Sequence, residues 1–576
     1  VPPVAVTQQV AAPLTDTVTP TNVAPAAVSQ QVSAPLDEGP AWNVKDVKLL
    51  GDLKFAEDMK LKEALSSALV QPGKPMTKNQ IEVELKKICN SWVDAGYYLS
   101  SLYLSRNAFD EASGMLTVRV GAGFVGKTHV KFANDKEDGT WFSKRQIERK
   151  LEDLKEKEVF CYKDMYAKLA EMNQHPDLTV NTKITVRKPI ELDENGERRV
   201  VRYADLDFVV KESFPLHGMV EINNYGTESI GEWQGTATLQ YLNLTKADDV
   251  LTFSPSMALD QSMWSLAGSY MRPHHIWKGG ATTLYGGWSE LDSKNIVPNI
   301  DLAGMGWFVG LVHSYTLIDN ESRLLSASAG LVYRYIEDQF SAFGVSLQER
   351  NVTVLPLTIA LSYSDRSYDF LNGRNFATLQ GVYNLMAGGD NQLDDMWYGA
   401  EENYMIARLQ LARIQPLFGS VDKKNREIHQ WTLFMKAEGQ YASDPLIPAE
   451  KLFLGGYNTV RGYTTKGYLG DNGMYGTLEF RTPILLDLLA SPIRRKASGT
   501  PIDRLQFLVF TDAGYTMSND PLPGANKDET LLSVGLGARI AITKYSQFRI
   551  DYGVPMLKNE DEENSSAFYL SAQLQF

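Results

Sequence analysis

A lone arginine set among glycines, in Leu454-Gly455-Gly456-Tyr457-Asn458-Thr459-Val460-Arg461-Gly462-Tyr463, is the pattern in this chain best suited to a chemical task. Four glycines lie between Gly455 and Gly467. Glycine lets a backbone turn through φ > 0 and approach other groups closely. An arginine on such a turn can be presented to carboxylates as a rigid fork. Two acids follow on segments of alternating character. Glu479 shares a face with Thr477 and Arg481, opposite Leu478 and Phe480, and Asp512 lies opposite Phe507 and Val509, because strand side chains alternate. The chemistry available is ion pairing: a loop arginine facing two inward acids on neighbouring strands.

Bond-making chemistry has little support. His274 and His275 are adjacent and would point to opposite faces of a strand, a poor metal pair. No H-E-x-x-H, G-x-S-x-G or P-loop pattern is present. Gly121-Ala122-Gly123-Phe124-Val125-Gly126 matches G-x-G-x-x-G, but a dinucleotide site needs the third glycine to open a helix, and Lys127 to Phe132 reads as a strand. The stretch is expected to be an interdomain hinge. No enzyme, cofactor or metal is expected. A net charge of −13 and a pI of 5.2 argue against a nucleic-acid partner. Cys89 and Cys161 make no disulfide framework and read as two buried free thiols. Mean hydropathy is −0.25 and no long uncharged apolar run occurs, so no transmembrane helix is expected. A β-barrel hides in such statistics, since only alternate residues face lipid.

The elements that must position the arginine divide the chain into four regions. Residues 1–41 hold seven prolines among Ala, Val, Thr, Gln and Ser, with no Lys, Arg or aromatic residue. That composition predicts a disordered, Pro-rich tail or linker. The chain starts at Val1 with no basic segment and apolar core behind it, and is read as a mature, processed product. Residues 42–121 read as a small β-α-α-β-β domain: a strand at 44–51, a helix near Met59–Leu69, a second helix opened by Thr77 with Gln80 as capping-box partner, then strands at 97–105 and 115–120. Residues 122–213 repeat that order, with Ser143 capping a helix and strands at 178–187 and 200–211. Repetition at a period of roughly 80 to 90 residues indicates an array of like modules. The strands at 97–105 and 178–187 are candidate open edges, where an extended peptide could add by β-augmentation.

From residue 214 to 576, segments of about ten alternating residues are separated by polar or Gly/Asn/Asp loops. The last is the cleanest: Phe568, Leu570, Ala572, Leu574 and Phe576 alternate with Tyr569, Ser571, Gln573 and Gln575. Such a stretch suits a transmembrane antiparallel β-barrel of about sixteen strands. Arg549 and Asp551 also face inward and belong to a lumen charge lattice. If the C-terminus is periplasmic, counting strands back puts the start of loop 444–472 outside, so that loop must fold inward for Arg461 to meet the acids.

The Val460-Arg461-Gly462-Tyr463 motif, followed by Phe510-x-Asp512-x-Gly514, resembles the outer membrane protein 85 superfamily. Within it the chain resembles a two-partner secretion transporter of the TpsB type, related to ShlB, FhaC and HecB. The resemblance runs from about residue 42 onward, and Val220 to Gly226 resembles the start of the family's barrel. It implies two POTRA domains, a sixteen-strand barrel, and a loop that plugs the pore with Arg461 against Glu479 and Asp512. Ending on Phe576 resembles the C-terminal signal by which the barrel-assembly machinery recognises its clients. Members often carry an N-terminal plug helix, which the proline spacing here argues against.

The function so implied is export of a partner exoprotein, of adhesin or haemolysin type, from periplasm to cell surface without nucleotide hydrolysis. The exoprotein would bind the POTRA domains through extended segments. Other expected partners are outer-membrane lipid and the barrel-assembly machinery, and the protein is expected to be a monomer. Two rivals remain: an insertase of the barrel-assembly type, which carries more POTRA domains, and a diffusion porin, which carries none.

Overall fold

The computed structural model describes residues 40–71, 73–133, 136–192, 198–226, 231–274, 279–297, 300–320, 322–342, 345–422, 427–463, 467–486, 504–521, 526–543, 545–557 and 566–576. The expected tail at 1–41 lies, but for its last two residues, outside the described residues. Ala41 pairs with Thr77 and Trp42 with Met76, so the expected boundary at 41/42 falls inside a short ladder. The chain forms two compact units, one ending at Pro215 and one beginning at Leu216.

The first unit holds two three-stranded sheets. In one, Met115–Gly121 lies between Asp46–Gly51, parallel to it, and Ser101–Asp110, antiparallel. In the other, Arg202–Glu212 lies between Gly123–Phe132, parallel, and Leu178–Arg187, antiparallel. Both candidate edge strands therefore occupy sheet edges. The apolar helix stripes explain why the layers form. Leu61, Leu65, Leu69, Ile81, Leu85 and Trp92 bury against Leu116, Val118 and Val120, each burial worth ~1.5–3 kcal/mol relative to exposure.

Capping fixes where these helices start. Thr77 Oγ1 accepts from Gln80 N at 3.4 Å and Gln80 Oε1 accepts from Thr77 N at 3.0 Å, and Ser143 Oγ accepts from Gln146 N at 3.2 Å. The helix expected over Met59–Leu69 is present as Leu61–Leu69, and a separate short helix that was not expected, Leu53–Asp58, precedes it. Lys60 between them takes a left-handed turn (φ 47°), which stops the first helix and redirects the second.

The glycine-rich stretch at 121–126 runs as strand and begins no helix, with Gly123 opening Gly123–Phe132. It is also less of a hinge than expected. A Cβ on Gly123 would come within 2.2 Å of Leu99 Cβ. Arg202 Nη1 donates to Leu99 O at 3.2 Å and to Ser101 Oγ at 2.5 Å. Tyr98 meets Phe160 edge-on. These contacts make a packed junction. Both cysteines are free, but only Cys161 is fully buried; Cys89 is partly exposed, and burial pushes its thiol up.

The second unit is a closed barrel of antiparallel staves. Its strands are Leu216–Asn223 (β1), Gln234–Leu242 (β2), Val250–Ala258 (β3), Met263–Pro273 (β4), Gly280–Val297 (β5), Ile300–Asp319 (β6), Arg323–Ala342 (β7) and Val345–Asp365 (β8). They continue as Arg374–Gly388 (β9), Met405–Asp422 (β10), Glu427–Ala442 (β11), Asn472–Arg481 (β12, extended by Leu485–Leu486), Arg504–Met517 (β13), Asp528–Thr543 (β14), Ser546–Pro555 (β15) and Ala567–Gln575 (β16). Closure is made by β1 against β16, Met219 opposite Gln575 through Asn223 opposite Ser571. The outer face is apolar on alternate residues, as with Trp307, Val309 and Leu311 on β6, or Phe507 and Val509 on β13, the pattern a lipid-facing wall requires. Several strands exceed the expected ten residues, β8 reaching 21, because pairing continues past the ~9–11 residues that hydrocarbon demands. His274 takes a left-handed turn (φ 55°) after β4 and is not inside a strand; His275 lies outside the described residues.

Candidate functional site

The site is built from one long connection and the inner wall it reaches. Residues 443–471 join β11 to β12 at the barrel end opposite Phe576, since alternate strands reverse direction. The connection turns inward. It makes a 3-10 turn at Pro448–Glu450, a small hairpin of Leu452–Leu454 with Tyr468–Gly470, and a tip that carries the arginine.

At the tip, Arg461 is 4% exposed. Its main-chain N–H and Nε donate to Asp512 Oδ2 at 3.1 and 2.7 Å, and Nη2 donates to Oδ1 at 2.9 Å. Nη1 donates to Glu479 Oε1 at 2.9 Å. The register explains why these acids meet it. Thr477 stands opposite Asp512 and Glu479 opposite Phe510, so both carboxylates project from the lumen face of adjacent strands. The Phe510 ring lies beneath the guanidinium, 3.4 Å from its carbon, a cation–π contact. Gly514 leaves room for the tip, because a Cβ there would sit 2.9 Å from Val460 Cγ2. Gly462 has φ 105° and packs on Gly553, where a Cβ would come within 2.9 Å of Gly462 N.

The other motif residues are also in contact. Val460 is buried with Leu454, Tyr463, Tyr475 and Leu531. The Tyr463 hydroxyl lies 3.0 Å from the carbonyls of Leu532 and Leu557 and accepts from Leu532 N at 3.2 Å. Phe576 extends the closing ladder, exchanging main-chain hydrogen bonds with Gly218 at 2.9 and 3.0 Å, while its ring is 64% exposed.

Residues beyond the sequence-derived set join them. Asp551, expected only as part of a lumen lattice, comes within 3.7 Å of Arg461 and pairs with Arg539 at 2.9 Å. Gly537 opposite it has no side chain to block the carboxylate. Arg481 braces Glu479 at 2.6 Å. Among the described residues, then, three arginines and three acids share this patch. Tyr457 of the tip stacks on Tyr225 at 3.7 Å and packs against Tyr569, whose hydroxyl accepts from Gly462 N. Alternation in Phe548-Arg549-Ile550-Asp551 was the available signal for Asp551. Nothing in the sequence flagged Tyr457. Such an arrangement can hold the inward tip against the barrel wall by ion pairing and main-chain hydrogen bonds. Among the described residues no cluster of metal-ligating groups occurs.

Comparison with known proteins matches residues 202–540 to the family of haemolysin secretion/activation proteins ShlB/FhaC/HecB. An outer membrane transporter CdiB of Dickeya dadantii is 21% identical over 417 residues, 69% of this chain and 65% of the relative. A hemolysin transporter protein HpmB of Proteus mirabilis is 22% identical over 45% of each. The chain thus spans less than two thirds of either relative's length. Among solved structures, CdiB from Escherichia coli superposes with a TM-score of 0.63 at 17% identity, covering 96% of this chain and 93% of the other.

Proposed function

Because the chain belongs to the haemolysin secretion/activation family ShlB/FhaC/HecB, we propose that it exports a partner exoprotein through its barrel. It resides in the outer membrane, with its POTRA modules in the periplasm. The observation that carries the reading is the inward segment itself. A closed barrel holds a built plug in its lumen, with Arg461 hydrogen-bonded to Glu479 and Asp512. A diffusion pore has no need of such a releasable stopper.

In this reading an unfolded exoprotein adds by main-chain pairing to the edge strands Ser101–Asp110 or Leu178–Arg187. It then displaces the tip and leaves through the lumen, and folding outside biases the movement. The cargo is of adhesin or haemolysin type. Phe576, held in the closing ladder with its ring exposed, serves as the signal read by the barrel-assembly machinery, and the protein works as a monomer. The insertase alternative is not favoured. The test compares proteins released by a deletion strain and by its complemented counterpart. Loss of one large exoprotein supports export. Loss of many outer-membrane barrels instead would assign the chain to insertion.

A further inference from the structure

The inward segment is held at a second place, with the signs reversed. Glu450, on the 3-10 turn, is 1% exposed, and its carboxylate is clasped by Arg334 of β7 and by Arg408 of β10, the latter at 3.2 Å. Arg408 Nε donates to Gln440 Oε1 at 2.8 Å, and Gln440 Nε2 donates to the carbonyls of Glu450 and Asp471 at 3.0 and 3.2 Å. Lys451, equally enclosed, pairs with Asp471 at 2.9 Å and lies 4.4 Å from the Trp397 ring centre. Asp471 also accepts from Leu446 N and Asn519 N, each at 2.8 Å. Leu446 and Ile447 pack with Leu393, Met396 and Tyr404 of the connection between β9 and β10.

Base and tip therefore differ in construction. At the tip a loop arginine rests on wall acids; at the base a loop acid rests on wall arginines and is covered by a second connection. Between them lie Gly455 and Gly456, with φ 109° and 83°. A Cβ on Gly456 would meet nothing within 4 Å, so there is open space at this joint. Gly455 N donates to Thr459 Oγ1 and the same hydroxyl donates to Gly455 O, each at 2.9 Å, and Gly456 N donates to Tyr463 O at 2.7 Å, which closes the tip into one body.

We propose that Glu450 is a positioning residue. Clasped by Arg334 and Arg408, it pins the base of the segment to the wall, so the tip can swing about Gly455-Gly456 off its acids and back while the base stays in the lumen. The inference rests on the translocator reading. Its test has a readout independent of any cargo: ion conductance of the purified full-length protein in planar bilayers.

In a Cys89→Ser/Cys161→Ser parent, Glu450→Cys with Arg334→Cys removes the clasp, and a bis-maleimide of matching length replaces it covalently. The unbridged pair is expected to conduct several-fold more than the parent. Bridging should return conductance to the parent level and leave secretion by intact cells unchanged. Parent-like conductance in the unbridged pair would overturn the positioning role. So would a bridged protein that conducts like the parent yet secretes nothing, since the base would then have to leave. If the pair fails to insert, Glu450→Gln reads the same conductance with the arginines in place. Failure of the translocator reading has a different signature: the parent releases no exoprotein beyond the deletion strain, while the conductance comparison still decides the role of Glu450.

Discussion

Asp512 accepts three hydrogen bonds from Arg461, one from its main-chain N–H and two from its guanidinium. The acid therefore fixes both where the loop backbone lies and which way its side chain points. Asp512→Ala should loosen the loop more than Glu479→Gln, because of the Arg461 donors Glu479 receives only Nη1, its other two hydrogen bonds coming from Nε and Nη2 of Arg481. Breaking one side of a buried pair costs ~3–5 kcal/mol locally. Unfolding of the purified barrel, read as the temperature at which its compact form is lost on a gel, should fall most for Asp512→Ala and less for Asp512→Asn, which keeps one acceptor.

Gly514 works by absence. Gly514→Val would place atoms where Val460 and Leu454 now sit, and crowding of this kind costs ~1–3 kcal/mol. The tip should be driven off the wall while the barrel still closes. Bilayer conductance should rise and protease should cut within 455–463. Wild-type conductance with no cleavage would show that the wall tolerates the added volume.

Tyr463→Phe removes one hydroxyl that bridges β14 and the segment after β15. Loss of a hydrogen bond of this sort is worth ~0.5–1.5 kcal/mol. A small fall in thermal stability with partial secretion is expected, milder than any change at Arg461.

In the second module, hydrogen bonding from Arg187 holds the Asp205 carboxyl below its ordinary range, against the opposing effect of burial and with help from Lys127 N. A depressed folded value gives stability that is present above the unfolded carboxylate pKa of ~3.9 and lost as pH falls through the folded value. Asp205→Asn should therefore lower the thermal stability of this unit at pH 7 and have little effect near pH 2. An equal deficit at both pH values would mean packing, not charge, is at stake.

Much of this was legible from period alone. Alternation from Phe568 to Phe576 gave the two faces of β16, and the same rule put Glu479 and Asp512 on the lumen side. What period cannot give is register across distant strands. Asp551 reads as inward, but its arrival beside Arg461 depends on the shear of β13, β14 and β15. Glu450 and Lys451 carry no pattern at all, since their partners Arg334, Arg408 and Asp471 are spread over three regions of sequence. The short helix before Lys60 was hidden because Leu61, Leu65 and Leu69 keep a helical stripe whether or not another helix precedes them.

The central claim is that export requires Arg461 to seat the tip on Asp512 and Glu479 between releases, not only to close the pore. Arg461→Ala, expressed to wild-type level and verified as a folded barrel in the outer membrane, tests it by the amount of partner exoprotein in the medium. The account predicts none above the deletion strain. Wild-type release from that variant would contradict it.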